Sequence, residues 1–109
     1  MRDRDDPLRL IYTTFATTEE AERCGRRLVE LRLAACVNMF PAMISIYEWQ
    51  GSLGRDLEVV MIVKTRLGAL EAAVKELKHQ HPYDTPAIIV IAPESVDGTF
   101  ADWVRAQTS

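Results

Sequence analysis

The sequence predicts an α+β domain with the element order β-α-β-β-α-β and a further helix at its end. Two amphipathic helical stretches alternate with apolar, β-prone runs. Two of those runs follow each other across a glycine-containing turn, which indicates a long hairpin between the second and third strands. The length of 109 residues fits one domain.

The first two elements are a strand and a capped helix. Leu8 to Phe15 is rich in Leu, Ile, Tyr and Thr, which favours a strand. The charged residues 1–7 before it are typical of a disordered tail, so we expect the single domain to span 8–109. Thr17 and Glu20 form a capping-box pattern that begins a helix. At helical spacing its apolar face comprises Ala21, Cys24, Gly25, Leu28 and Val29.

The middle of the chain predicts a hairpin of unusual length. Ala35 to Gln50 alternates over about sixteen residues, whereas an ordinary strand has about five or six. Pro41 predicts a bulge or a bend nearby, because proline cannot donate to a strand ladder. Gly51 to Gly54 supplies the turn, and Leu57 to Lys64 returns with apolar residues on both faces. One layer of helices covers only one face of a sheet, so these features predict a second subunit.

The second half of the chain completes the order of elements. A helix through about Lys78 has its apolar face at Leu67, Leu70, Val74 and Leu77. Pro82 ends it. Ala87 to Ala92 is continuously apolar and predicts a buried central strand. Asp97 then caps a short helix that contains Phe100, Trp103 and Val104. The whole order is the split β-α-β, ferredoxin-like arrangement.

Charge and hydropathy exclude several classes of protein. Thirteen Lys and Arg against sixteen Asp and Glu give a formal charge of −3, so no basic surplus drives binding to nucleic acid or to a membrane surface. No apolar run approaches the roughly 20 residues of a membrane span. The charged N-terminus lacks a signal-peptide pattern, which predicts a cytoplasmic protein with reduced Cys24 and Cys36.

Four motifs together resemble the CutA1 divalent-cation tolerance proteins. They are Leu33–Asn38, Ser45–Gly51, Glu58–Thr65 and His81–Pro86, and they stand in the family's order and spacing within about residues 8–105. The resemblance implies a ferredoxin-like fold related to the PII signalling proteins. It also implies a homotrimer in which the long hairpins pair between subunits, and a function in tolerance of divalent metals.

The resemblance also bears on metal ligands. Family members described as copper-binding carry a cysteine in the first strand and two adjacent histidines before the Pro-Tyr pair. Here those positions hold Tyr12 and the pair Gln80-His81, so only His81 remains of that ligand set. We therefore expect Cu²⁺ or another divalent cation to bind at His81, since imidazole is a ligand such ions accept readily. The alternative is that His81 is a hydrogen-bonded turn residue.

The same motifs predict a ligand-binding cleft. Its candidate residues are Tyr47, Trp49, Glu58, Lys64 and Tyr83. Glu58 and Lys64 are six positions apart and share one side of a regular strand. A lysine within an apolar strand needs a partner, and such a cleft could bind a small anion or a cation. The alternative is a structural Glu–Lys pair with the aromatic residues as interface packing.

No catalytic motif stands out, which predicts that the protein is not an enzyme. The chain contains neither a recognisable Ser-His-Asp or Cys-His motif nor a glycine-rich phosphate loop. The favoured function is a homotrimeric, metal-binding tolerance protein, with a PII-like sensor of a small ligand as a variant of it. The alternatives are a trimeric scaffold without a small ligand and, less favoured, a small enzyme with Glu58 or His81 as base. The sequence does not identify a protein partner.

Overall fold

A computed structural model of the chain describes residues 5–109. Its elements are β1 (Leu8–Phe15), α1 (Thr18–Glu30), β2 (Cys36–Trp49), β3 (Ser52–Arg66), α2 (Leu67–Gln80), β4 (Ile88–Ile91) and α3 (Gly98–Gln107). The four strands form one antiparallel sheet in the order β2-β3-β1-β4. This topology confirms the predicted ferredoxin-like fold. No helix within the described residues is long and apolar enough to cross a membrane.

The core lies between one face of the sheet and helices α1 and α2. Its fully buried strand residues include Ile11 and Phe15 of β1 and Met61 and Val63 of β3, which alternate along their strands. Helix α1 begins as predicted, because Thr17 Oγ1 accepts a hydrogen bond of 3.2 Å from the Glu20 N–H. Of its predicted apolar face, Ala21, Cys24, Gly25 and Leu28 are buried, whereas Val29 is exposed.

The hairpin turn is shorter than predicted. Gln50 and Gly51 alone form it, with φ of 50° and 83°, and β3 begins at Ser52. Two consecutive residues with positive φ match the twist of the flanking strands, so the pairing continues to the tip of the hairpin. The bulge expected near Pro41 is present as a shift in register between Phe40 and Met43.

Beyond the bulge the hairpin extends as a projecting arm, which we define as residues 43–58. The molecule measures 50 × 27 × 21 Å for this reason. One face of the arm carries four apolar side chains that are more than half exposed, Ile44, Ile46, Leu53 and Leu57, together with Glu48 and Arg55. The opposite face presents aromatic and acidic side chains, namely Tyr47, Trp49, Asp56 and Glu58. The arm therefore has two chemically distinct surfaces.

The outer face of the sheet differs from the prediction in two ways. Strand β4 lies at the edge rather than in the centre, and Ile89 on it is 53% exposed. The prediction of a buried central strand is therefore wrong for this chain alone. Helix α3, capped by Asp97 as predicted, covers one end of this face. Its contacts form a second apolar cluster of Leu8, Ala35, Ala101 and Val104.

The N-terminal segment is anchored to the domain before β1. The predicted tail was 1–7, of which 1–4 lie outside the described residues. Asp6 is buried, and its Oδ1 accepts a hydrogen bond of 2.7 Å from the Gly68 N–H. Its Oδ2 lies 3.1 Å from Nη1 of Arg66. Asp6 thus caps α2 from a distance and belongs to the folded domain.

Candidate functional site

A cavity of about 900 Å³ lies where the acidic and aromatic face of the arm meets β1 and the segment after α2. Its lining includes Tyr47, Trp49, Glu58 and Tyr83, so the structure brings together four of the predicted ligand-binding residues. Asp56, Ser45, Thr14 and Thr85 complete its polar surface. We call this cavity the arm cleft.

Two hydroxyl groups hold the carboxylate of Glu58 in the arm cleft. Ser45 Oγ donates to Oε1 over 2.7 Å, and the Tyr83 hydroxyl donates to Oε2 over 3.1 Å. Burial, followed by this hydrogen bond, raises the pKa of Tyr83 to about 12. The Tyr83 hydroxyl is therefore a donor at neutral pH, and it leaves further lone pairs on Glu58 open to a ligand.

The second carboxylate, that of Asp56, is held in the same way. The Tyr47 hydroxyl donates to it, and this hydrogen bond is the main cause that raises the pKa of Tyr47. Tyr47 lies opposite Gly54 in the ladder. A Cβ on Gly54 would come within 2.8 Å of Tyr47 Cζ, so only glycine lets the ring lie across β3 to reach Asp56.

The charge of the arm cleft is negative. No Lys, Arg or His is among the described residues that line it. Within residues 5–109 neither Asp56 nor Glu58 forms an ion pair, whereas Arg66 and Arg105 pair with other acids. Ionised carboxylates only accept hydrogen bonds or coordinate cations. The arrangement therefore favours a cationic ligand over an anionic one.

Lys64 does not take part in this site. It lies six residues from Glu58 along β3, which corresponds to about 20 Å. Its Nζ lies 5.4 Å from the centroid of the Phe100 ring, under helix α3. The expected Glu58–Lys64 pair is not formed, because sharing a face of a strand does not bring two side chains together over that distance. Lys64 was the one cation predicted for this cleft, so none of the described residues that line the cleft supports the binding of an anion.

His81 lies behind the cleft with both ring nitrogens engaged. The ring stacks on Phe15 at 4.3 Å, and Nε2 lies 2.8 Å from the carbonyl oxygen of Thr14. Because a carbonyl only accepts, Nε2 carries the proton, and Nδ1 accepts a hydrogen bond of 3.2 Å from the Tyr83 N–H. Burial lowers the pKa of His81 and keeps the ring neutral.

This geometry does not support His81 as a metal ligand, because no lone pair of the ring is free. It fits the alternative of a hydrogen-bonded turn residue, which here positions Tyr83 against Glu58. The described residues hold no group of three or more His, Cys, Asp or Glu side chains suited to a metal. A cation in the arm cleft would have two carboxylates as its charged ligands.

Tyr12 and Gln80, the two positions at which the expected ligand set is incomplete, have structural contacts here. The Tyr12 hydroxyl lies 3.7 Å from Sδ of Met43 at the base of the arm. Gln80 Nε2 donates over 2.9 Å to Glu76 Oε1, one helical turn earlier in α2. Neither residue lines the arm cleft.

Sequence reasoning missed Asp56 and Ser45. Asp56 was missed because the predicted β3 began at Leu57, which left Asp56 between the turn and the strand. Ser45 lay within the predicted second strand, but no pattern singled it out as a site residue. With the strand beginning at Ser52, Asp56 and Glu58 are two positions apart and share a face. The signal available in the sequence was the alternation of Asp56, Leu57 and Glu58, continuous with the apolar strand that follows.

Comparison with known proteins identifies the family. The model of the CutA1 divalent ion tolerance protein family matches residues 9–107. The chain is 44% identical to a divalent-cation tolerance protein CutA from Archaeoglobus fulgidus, over 86% of this chain and 91% of the relative. It is 36% identical to the protein of that name from Thermus thermophilus, over 91% and 96% of the two chains.

Solved structures agree with this result. The fold is similar to that of divalent ion tolerance protein CutA1 from Ehrlichia chaffeensis, with a TM-score of 0.93, 36% identity and coverage of 95% and 97% of the two chains. A structure from Archaeoglobus fulgidus, described as a periplasmic divalent cation tolerance protein, matches with a TM-score of 0.88, 40% identity and coverage of 94% and 99%. The cytoplasmic location of this chain stays a prediction. Both sequence and structure show that the chain belongs to the CutA1 divalent ion tolerance protein family.

Proposed function

We propose that this protein contributes to divalent-cation tolerance as a homotrimer that binds the cation in the arm cleft. The observation that carries the proposal is the pair of carboxylates, Asp56 and Glu58, which share one face of β3 without a basic partner among the described residues. Neighbouring hydroxyl groups hold both carboxylates in place. Membership of a divalent-ion tolerance family supports a cation as the ligand.

Oxygen ligands of this kind suit some divalent ions better than others. Carboxylates, hydroxyls and water are the preferred ligands of Mg²⁺, Ca²⁺ and Mn²⁺, whereas Cu²⁺ and Zn²⁺ favour imidazole or thiolate. Two carboxylates satisfy only part of a six-coordinate shell, so water would complete it. We therefore expect Mn²⁺ to bind more tightly than its place below Cu²⁺ in the general order of affinities would suggest.

Calorimetric titration of Mn²⁺, Zn²⁺ and Cu²⁺ into chelator-stripped protein tests the site. We expect saturable Mn²⁺ binding that is lost in Asp56→Asn and in Glu58→Gln. Glu48→Gln is the matched control, because Glu48 is an exposed acid on the opposite face of the same arm. Equal losses in Glu48→Gln would contradict the assignment. If only His81→Gln lost metal binding, His81 would be the metal ligand instead. If no metal bound saturably, the alternative of a trimeric scaffold without a small ligand would be favoured.

The trimer is supported by apolar surface that this chain alone leaves exposed. The apolar face of the arm includes Leu53 at 81% exposure, and strand β4 is exposed along most of its length. Isolated exposed residues are ordinary, but four exposed apolar side chains on one face of a single hairpin indicate a protein interface. The number of three subunits comes from the family resemblance.

Sedimentation analysis tests the assembly. We expect a mass three times that of the 12.3 kDa chain. Leu57→Lys, which places a charge on the apolar face, should dissociate it. Ser52→Lys is the control, because Ser52 lies on the other face near the tip. A monomeric wild-type protein at micromolar concentration would refute the trimer.

A further inference from the structure

The arm cleft is larger and more aromatic than an inorganic cation requires. A divalent ion with six waters occupies about 180 Å³, taking about 30 Å³ for each water. The cavity measures about 900 Å³. Three aromatic side chains, Tyr47, Trp49 and Tyr83, line it beside the two carboxylates. Metal coordination uses the hydroxyl groups of Tyr47 and Tyr83, but it gives the ring faces no role.

The positions of the rings relative to the carboxylates suggest what they bind. Along β2, Ser45, Tyr47 and Trp49 alternate on one face, and they lie opposite Asp56, Gly54 and Ser52 of β3. Tyr83 approaches from the segment after α2 and is fixed to Glu58 through its hydroxyl. Each tyrosine is thus held by its hydroxyl edge. Trp49, 67% exposed, has no hydrogen-bond partner among the described residues.

Aromatic faces and carboxylates together are the groups that recognise an organic ammonium ion. The negative face of a π system attracts a cation within about 6 Å of its centroid, and tryptophan is the strongest of the three rings. Carboxylates add the charge that draws such an ion from water. A hydrated metal ion cannot use the rings in this way, since its water shell keeps it from their faces.

We infer that the arm cleft also binds an organic ammonium cation, seated against Trp49 and the tyrosine rings with its charge toward Asp56 and Glu58. This inference rests on the proposed function in using the same carboxylates. The two proposals differ because an organic ammonium ion would also contact the ring faces of Tyr47, Trp49 and Tyr83, which a hydrated metal ion would not. The two ligands should therefore compete for the cleft and respond differently to loss of a ring.

Choline and its neutral isostere 3,3-dimethyl-1-butanol separate charge recognition from simple apolar binding. The readout is the fluorescence of Trp49 in a Trp103→Phe background, at constant ionic strength, with calorimetry as a second measure. We expect choline to bind and the neutral alcohol not to bind. Trp49→Leu should weaken choline binding about tenfold and Mn²⁺ binding by a smaller factor, because Trp49 offers a ring face but no oxygen ligand. Trp103→Leu, on α3 and outside the cleft, is the calorimetric control.

A second variant tests the contribution of Tyr47 without replacing an aromatic residue. Gly54→Ala should displace Tyr47, because the new Cβ would lie 2.8 Å from its Cζ, and so should weaken choline binding. Equal binding of choline and the alcohol, or absence of choline binding, would overturn the inference. Mn²⁺ binding without choline binding would leave the proposed function intact, whereas choline binding without Mn²⁺ binding would refute the metal site alone.

Discussion

Asp6 offers the most direct test of how the domain is held together, because one carboxylate serves two elements. Oδ1 accepts from the Gly68 N–H in the first turn of α2, whose N-cap Arg66 makes no side-chain cap hydrogen bond. Oδ2 pairs with the Arg66 guanidinium at 3.1 Å. Asp6→Ala removes both interactions from a buried site.

The expected loss follows from these contacts. Removal of a helix cap costs about 1 kcal/mol. Breaking a fully buried ion pair costs about 3–5 kcal/mol, but Arg66 keeps its hydrogen bonds to Thr108 and its side chain is 20% exposed. We therefore assign about 1–2 kcal/mol to the pair and about 2–3 kcal/mol to Asp6→Ala as a whole. Asp6→Asn keeps an acceptor for Gly68 and should lose about half as much.

Urea unfolding followed by circular dichroism measures these differences. All variants are compared at one protein concentration, because association shifts the apparent stability of an oligomer. Asp5→Ala is the matched control, since the neighbouring Asp5 is exposed. If Asp6→Ala lowers the free energy of unfolding no more than Asp5→Ala does, Asp6 is not the anchor described here.

Three further predictions concern titration, thiol reactivity and capping. Since burial lowers the pKa of His81 below 6.5, its contribution is present above that pH and is lost as the pH falls through the folded-state pKa. The decrease in the free energy of unfolding at low pH should be smaller in His81→Gln than in the wild type and unchanged in His79→Gln. Urea unfolding midpoints measured from pH 5 to 8 test this. Burial raises the pKa of Cys24 to about 11, so a Cys36→Ser variant should react with Ellman's reagent at pH 8 only after unfolding; rapid native labelling would contradict this. Asp97→Ala should lower the free energy of unfolding by about 1 kcal/mol through loss of the α3 cap, and an unchanged urea midpoint would contradict it.

Much of the fold was predictable because its determinants are local. The alternation in Leu8–Phe15, the capping pattern at Thr17 and the cap at Asp97 each depend on residues within a few positions of one another. Pro41 likewise predicted an irregularity in β2, since its missing N–H is a property of the residue itself. The turn was less predictable, because Gln50 is an unusual residue at a position with positive φ.

The site was predictable in part. Tyr47, Trp49, Glu58 and Tyr83 were grouped by their motifs, and the structure places all four at the arm cleft. Lys64 was grouped with them by its motif and by strand parity, neither of which gives the distance between two side chains. Asp56 was missed because a strand boundary was set too late, and the error moved the residue out of the periodic pattern.

What the sequence determined by itself is the set of elements and their order, since periodicity, caps and breakers act over a few residues. The predicted apolar faces were wrong in part, because Val29 of α1 and Leu67 of α2 are exposed and α2 buries Ala69 and Ala73. Only the tertiary structure decided that β4 is an edge strand and that Asp6 caps α2. It also decided that both ring nitrogens of His81 form hydrogen bonds, one to Thr14 and one to Tyr83. Each of these facts depends on contacts between residues far apart in the chain. Such contacts are selected by the packing of the whole domain, so no local pattern encodes them.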